Sequence, residues 1–259
     1  MKKSILFSGL IIISIMLSGC FFHPFYCIEG EGNVLTEELD LSNFNSIESN
    51  GSFDVVIEYG ETQKVVAVGH QNIINRLKTY VSNNIWEIEL EHGNYCNFEL
   101  TIYITIPYLK SAEINGSGNI EIGRFVTDVS TTLQIDGSGN ITFDSIVAQQ
   151  IDLEINGSGN INGFVDCAEL NARIDASGNI KTKGWADYQT IKINGSGSYK
   201  SINTESNKTT IKIAGSGDAY VNVSDNLDVR IDGSGNVYYV GSPRMNITIN
   251  GSGRVIDQN

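Results

Sequence analysis

Ile155-Asn156-Gly157-Ser158-Gly159-Asn160-Ile161 is one of eight near-copies of a single turn, and its reading decides the fold. Aligned on the first small residue of each turn, the copies are anchored at Gly116, Gly137, Gly157, Ala176, Gly195, Gly215, Gly233 and Gly251, spaced 21, 20, 19, 19, 20, 18 and 18 residues apart. Isoleucine stands two places before every anchor. Four places before stand Ala112, Leu133, Leu153, Ala172, Ile191, Ile211, Val229 and Ile247. This period-two alternation gives each copy a strand with one buried face. Glycine lets the corner take positive φ or a tight bend at little steric cost, and the flanking Asn and Asp suit side-chain-capped turns. The chain then re-enters an apolar position at Ile120, Ile141, Ile161, Ile180 or their equivalents.

A repeat of about 20 residues is too short for a strand-helix-strand unit, which needs roughly 30. It matches one coil of an all-β parallel β-helix, or β-solenoid. Its coils pair in parallel about 4.8 Å apart and stack Ile on Ile and Ser on Ser. Eight such coils predict a rod roughly 35–40 Å long. An antiparallel sandwich would vary its hairpin turns in length and sequence. The repetitive solenoid is assigned to residues 111–259.

Residues 44–110 read as an irregular β cap of the same stack. Ser49-Asn50-Gly51-Ser52-Phe53-Asp54-Val55 is a degenerate first copy, 65 residues before Gly116, which corresponds to about three coils. Strands are expected from Phe53 to Tyr59, Val65 to Val68, Ile85 to Leu90 and Phe98 to Ile106, the last stopped by Pro107. Asn83-Asn84 is placed to turn a hairpin between Tyr80 and Trp86. Ile73 to Leu77 reads as one short helical turn.

The N-terminus pairs Lys2-Lys3 with an apolar run from Ile5 to Leu17, the pattern of a secretory signal over residues 1–19 and too short to span a bilayer comfortably. Leu17-Ser18-Gly19-Cys20 resembles the bacterial lipobox. That resemblance implies cleavage before Cys20, acylation of its thiol and attachment to a membrane through two or three acyl chains. Residues 20–43 then serve as lipid anchor and tether. Phe21, where an Asp would suggest inner-membrane retention, favours the outer membrane. If Cys20 is acylated, Cys27, Cys96 and Cys167 remain. By elimination Cys27 and Cys96 are the preferred disulfide pair, and Cys167, in Phe164-Val165-Asp166-Cys167-Ala168, reads as a small core residue.

Loss of Lys2 and Lys3 leaves 30 acidic residues against 15 basic ones, moving the formal charge from −13 to −15. Phosphates would be repelled, which excludes DNA and RNA as partners.

The chain resembles the head GIN domain family of auto-transporter adhesins of bacterial envelopes. The resemblance rests on Phe44-Asn45-Ser46-Ile47, Ile104-Thr105-Ile106-Pro107-Tyr108-Leu109, the Gly-Ser-Gly ladder and Val237-Tyr238-Tyr239-Val240-Gly241-Ser242-Pro243. It implies a β-helix fold and a cell-surface or periplasmic setting. No membrane-barrel translocator follows Val255, so the chain is not expected to be a complete auto-transporter. The family offers no catalytic motif to carry over.

His23, His70 and His92 have no nucleophile motif beside them. Asp128, Asp144, Asp166 and Asp187 recur near the middle of successive coils. They are the carboxylates a polysaccharide-active β-helix enzyme would need, but they read as turn residues on a solvated face. Calcium at the turns is disfavoured, because the residue before each anchor runs Asn, Asp, Asn, Asp, Asn, Ala, Asp, Asn. The Asn-Gly-Ser sequons, such as Asn115-Gly116-Ser117, are read as turn chemistry. No catalytic, metal or cofactor residue is therefore expected, and Cys20 is the one modified site. The expected function is a non-enzymatic, adhesin-like binding module for a glycan or envelope protein. A carbohydrate-active enzyme and a ligand-free spacer are the alternatives. Ligand identity, coil handedness and oligomeric state are left open.

Overall fold

The structure, a computed structural model, describes residues 27–259, so Cys20, His23 and the signal segment lie outside the described residues. The described residues are nearly all β. In chain order they form β1 (Ile28–Glu29), β2 (Val34–Leu39), β3 (Ser46–Ser49), β4 (Asp54–Tyr59), β5 (Lys64–His70), α1 (Gln71–Ile74), β6 (Val81–Ser82), β7 (Ile85–Ile88), β8 (Tyr95–Cys96) and β9 (Leu100–Ile106). There follow β10 (Ser111–Ile114), β11 (Ile120–Val126), β12 (Thr131–Ile135), β13 (Ile141–Ile155), β14 (Asn160–Ile174), β15 (Asn179–Ile193), β16 (Tyr199–Ile213), β17 (Ala219–Ile231), β18 (Val237–Val240), β19 (Arg244–Ile249) and β20 (Val255–Asp257).

From β10 onward every pairing within the array is parallel and joins one coil to the next. The eight corners enclose seven full coils of a β-solenoid. The isoleucines before the corners stack directly: Ile114 on Ile135, then Ile155, Ile174, Ile193, Ile213, Ile231 and Ile249. All but the last are buried, each contributing roughly 1.5–3 kcal/mol by leaving water. The positions after the corner stack likewise, from Ile120 and Ile141 through Ile161, Ile180, Tyr199 and Ala219 to Val237 and Val255.

Coil lengths differ, yet the strand before each corner never loses register. The slack is taken up on the far side, at bulges between Phe143 and Ile146, between Ile180 and Lys183, and in two places between Ser201 and Lys208. A slipped register before the corner would misalign the isoleucine column, so irregularity is tolerated only where the outward residues vary.

The corner glycines sit in the tight bends expected of them, but the backbone angle is not what requires glycine there. None has positive φ; Gly32, Gly184 and Gly241 are the positive-φ glycines among the described residues. Their role is close approach. A methyl group on Gly159 would overlap the carbonyl oxygen of Gly139, one coil below, and press on Ile135 Cγ2. Coils this close let the Ser158 N–H donate to the Gly137 carbonyl at 3.0 Å, a bond repeated at Ser138, Ser196, Ser216, Ser234 and Ser252. Where Ala176 takes the first glycine's place, Ser177 makes no such bond to Gly157.

The Asn after the corner builds a second ladder. Asn140 Oδ1 accepts both the backbone N–H (3.1 Å) and the side-chain Nδ2 (3.0 Å) of Asn160 in the next coil. The same pair of bonds joins Asn119 to Asn140 and Asn160 to Asn179, and the run begins at Asp54 beneath Asn119.

The cap is stacked out of sequence order. Ser117 and Gly118 donate directly to the Gly51 carbonyl, and Ser46–Ser49 pairs with Ser111–Ile114. The degenerate copy is therefore the immediate neighbour of the first regular coil, and the three coils expected from the 65-residue spacing are not there. The intervening chain turns back under it: β7 pairs with the free side of β3, and β9 with the free side of β4. Two levels are thus added below the array, ten in all. Antiparallel β5 and β2 then finish the sheet beside β9. Asn83 and Asn84, both at positive φ, make the expected two-residue hairpin between β6 and β7. α1 supplies Ile73 and Ile74 to the core, beside fully buried Trp86.

The expected tether is shorter on its described side. From Cys27 onward the chain is part of the cap. β1 pairs with β8, β2 with β5, and Gln63 holds Leu41, Ser42 and Phe44 through its amide. Cys27 and Cys96 form the disulfide, with their Cα atoms 5.8 Å apart.

Candidate functional site

The sequence-marked polar residues do not converge. His70 is structural: Glu99 N–H donates to its Nδ1 at 3.1 Å, and its ring packs on Gly30. His92 is exposed at a cap groove of about 380 Å³ that also holds Lys78, Glu89 and Glu91. Asp128 lies in an exposed loop, Asp144 sits in the bulge after Phe143, and Asp166 faces solvent. Asp187 is tied to Asn207 Nδ2. Asp166 shares its row with Val147 and Trp185, not with another of the four. Among the described residues, Cys27, Glu29 and Cys96 form the one metal-ligand-type group, and its two sulfurs are joined in the disulfide. Cys167 is buried, and desolvation pushes its thiol up to about 12.

The carboxylates before the corners are satisfied within the ladder. Asn156 Nδ2 donates to Asp136 at 2.7 Å, Asn194 to Asp175 at 2.6 Å and Asn250 to Asp232 at 2.7 Å. Arg173 also bonds Asp175, and with that Asn bond it holds the carboxyl below the usual carboxylate range.

What the fold does assemble is an extended surface. On the face just before the corners, strand alternation sends two rows outward. One is polar: Ser111, Thr132, Asp152, Asn171, Thr190 and Thr210. The other is charged and sorted by sign. Glu87, Glu48, Glu113, Gln134 and Glu154 stack in that spatial order, followed by Arg173, Lys192, Lys212, Arg230 and Thr248. Partial burial, with Glu48 and Asp136 alongside, raises the Glu113 carboxyl. Between the rows lies a shallow groove of about 310 Å³, floored by Leu153 and Ala172 and edged by Asp152, Asn171, Arg173 and Lys192.

The sorting extends to the whole body. Residues 27–158 carry 20 acidic and 5 basic side chains, whereas residues 159–259 carry 10 of each. Sequence reading found the net charge but not this division. The signal was the residue immediately before each invariant Ile, read across copies.

A single-stack parallel β-solenoid with a closed N-terminal cap and open ladder faces defines an elongated surface-presenting protein. The model of the family "Putative auto-transporter adhesin, head GIN domain" matches residues 43–243, and the chain belongs to that family. No curated protein matches it in sequence. Among solved structures it is similar to a "putative lipid binding protein" from Parabacteroides distasonis ATCC 8503, with 25% identity, a TM-score of 0.85, and 90% of this chain and 100% of that one covered. A "putative adhesin" from the same strain gives 22% identity and a TM-score of 0.86 with the same coverage. A "putative adhesin" from Parabacteroides merdae ATCC 43184 gives 20% and 0.85, covering 90% of this chain and 99% of that one. The last two likenesses establish the fold. Among the described residues no helix is long and apolar enough to cross a membrane.

Proposed function

We propose that this chain is a non-enzymatic, adhesin-like binding module of the bacterial envelope. In this reading acyl chains on Cys20 hold it to a membrane, with the outer membrane favoured, and the solenoid presents its ladder faces to a glycan or an envelope protein. The observation that carries the reading is the pre-corner face. Hydroxyl, amide and charged side chains repeat there at about the 4.8 Å strand spacing along a shallow groove, an arrangement suited to an extended ligand. The interior is filled by side chains, so nothing in it favours the enclosure of a lipid.

The chain from residue 20, with Cys20→Ser to remove the acyl site, should bind a defined set of glycans or one envelope protein at micromolar concentration. Asn171→Ala with Thr190→Ala should weaken that binding. No partner on a glycan array or in an envelope pull-down would support the spacer reading instead. Release of reducing ends or unsaturated products from a polysaccharide would make the protein an enzyme. The anchor is tested separately: Cys20→Ser should move the protein from the membrane fraction to the soluble one, and mass spectrometry of wild type should find acyl chains on Cys20.

A further inference from the structure

We infer that the pre-corner face is also a homotypic interface, on which two copies of this chain pair side by side with their rods antiparallel. The argument is one of spacing and sign, and it stands whether or not the face takes a glycan. The charged row has ten levels at the strand spacing, a strip about 43 Å long. A two-fold axis along the strand direction, passing between Glu154 and Arg173, reverses the row and leaves each row facing its own copy. Glu154 then meets Arg173 of the second copy, Gln134 meets Lys192, Glu113 meets Lys212 and Glu48 meets Arg230. The polar row obeys the same operation. Asp152 meets Asn171, and Thr132 meets Thr190.

Within one molecule the row is favourable only at its centre, where Arg173 lies 3.6 Å from Glu154, and unfavourable toward both ends. Glu48 stacks on Glu87 and Glu113, and Lys192 on Lys212, so like charges are neighbours at the closest spacing a sheet offers. Lys192 and Lys212 enter no ion pair among the described residues, while Arg173 and Arg230 bond Asp175 and Asp232 in their own coils. A second, reversed copy offsets the repulsion with opposite charges. It also sets the acidic half of one body beside the neutral half of the other, whereas parallel pairing would set acid on acid. The strip is narrow, two outward positions wide, which places the contact among weak, transient interfaces. Many copies on one surface would make it effective through multivalency. With the anchor proposed at Cys20, seven residues before Cys27 in the cap, antiparallel pairing joins copies carried on facing surfaces.

Sedimentation of the Cys20→Ser chain from residue 20 tests this. Wild type should form dimers whose dissociation constant rises about tenfold or more between 50 and 500 mM salt, as charge-steered contacts do. Two charge-reversed forms, Glu48→Lys with Glu113→Lys and Lys212→Glu with Arg230→Glu, should each be monomeric alone. Mixed one to one they should dimerise again, because every reversed residue faces its reversed partner. Failure of the mixture to associate, or a wild type that stays monomeric at low salt, overturns the proposal. So does loss of polyuronate binding by the Lys212→Glu, Arg230→Glu form with no effect of mixing, which would give the basic stretch of the row to an acidic glycan. A negative glycan array leaves these outcomes untouched, so the two readings fail separately.

Discussion

The cap and the array solve the same problem by opposite means. In the array each coil pairs with the next one in sequence, about 20 residues on, and the same few side chains recur at the same levels. In the cap the chain reaches its first coil at β3, returns beneath it with β7 and β9, and then climbs past it to β10. There the stack needs antiparallel strands, a disulfide and a fully buried Trp86 whose Nε1 donates to the Lys78 carbonyl at 3.0 Å. A repeat can stabilise its middle by repetition, but its end exposes a sheet edge and half a core, and closing that end requires residues no repeat supplies.

The strongest test of this contrast is Trp86→Ala. It empties the centre of the cap and should destabilise the protein by about 3–5 kcal/mol, with hydrogen exchange showing residues 44–110 opening before the array. Uniform opening of cap and array together would mean that they are not separable units. Reduction of Cys27–Cys96 comes next. The 69-residue separation of the bridged cysteines corresponds to about 2–4 kcal/mol, lost from the cap and not from the coils beyond β13. Equal loss of protection at Ile213 would contradict that localisation.

Within the array, Gly159→Ala should cost about 1–3 kcal/mol through overlap with the coil below. Gly157→Ala should cost less, since Ala176 already occupies the equivalent place at the expense of one corner hydrogen bond; thermal melts of the two variants would rank them. The smallest effect is expected at Glu113. Its carboxyl is raised in the folded state, so its contribution favours folding at pH below the unfolded value and is lost as pH rises through the folded one. Glu113→Gln should therefore stabilise slightly at neutral pH and lose that advantage in acid. An advantage that persists below pH 4 would assign the effect to something other than charge.

Much of the array was legible because its rule is local. The invariant isoleucines, the coil length and the Asn positions are each visible in one copy and confirmed by the next. The glycines were legible as tight bends, but not the reason they must be glycine, which is the carbonyl one coil away and not a positive φ. The Cys27–Cys96 bridge was reached by elimination among three thiols. The order of the cap was not legible. Spacing between Gly51 and Gly116 counts residues, and residues 60–106 were equally compatible with three coils in series or with an excursion beneath one.

The same division holds for the surface. The sequence alone determined an all-β stack of about 20 residues per coil, an acidic body and the absence of a recognisable catalytic motif. These follow from periodicity and composition, which are properties of the chain read in order. Only the tertiary structure decided that Gly116 rests on Gly51, that Asp54 starts the Asn ladder, and that Glu48 and Glu113 lie in one row with Lys212 and Arg230. Those relations are built from contacts between adjacent levels 18 to 65 positions apart, fixed by which strand edges were left free to pair once the cap had folded back.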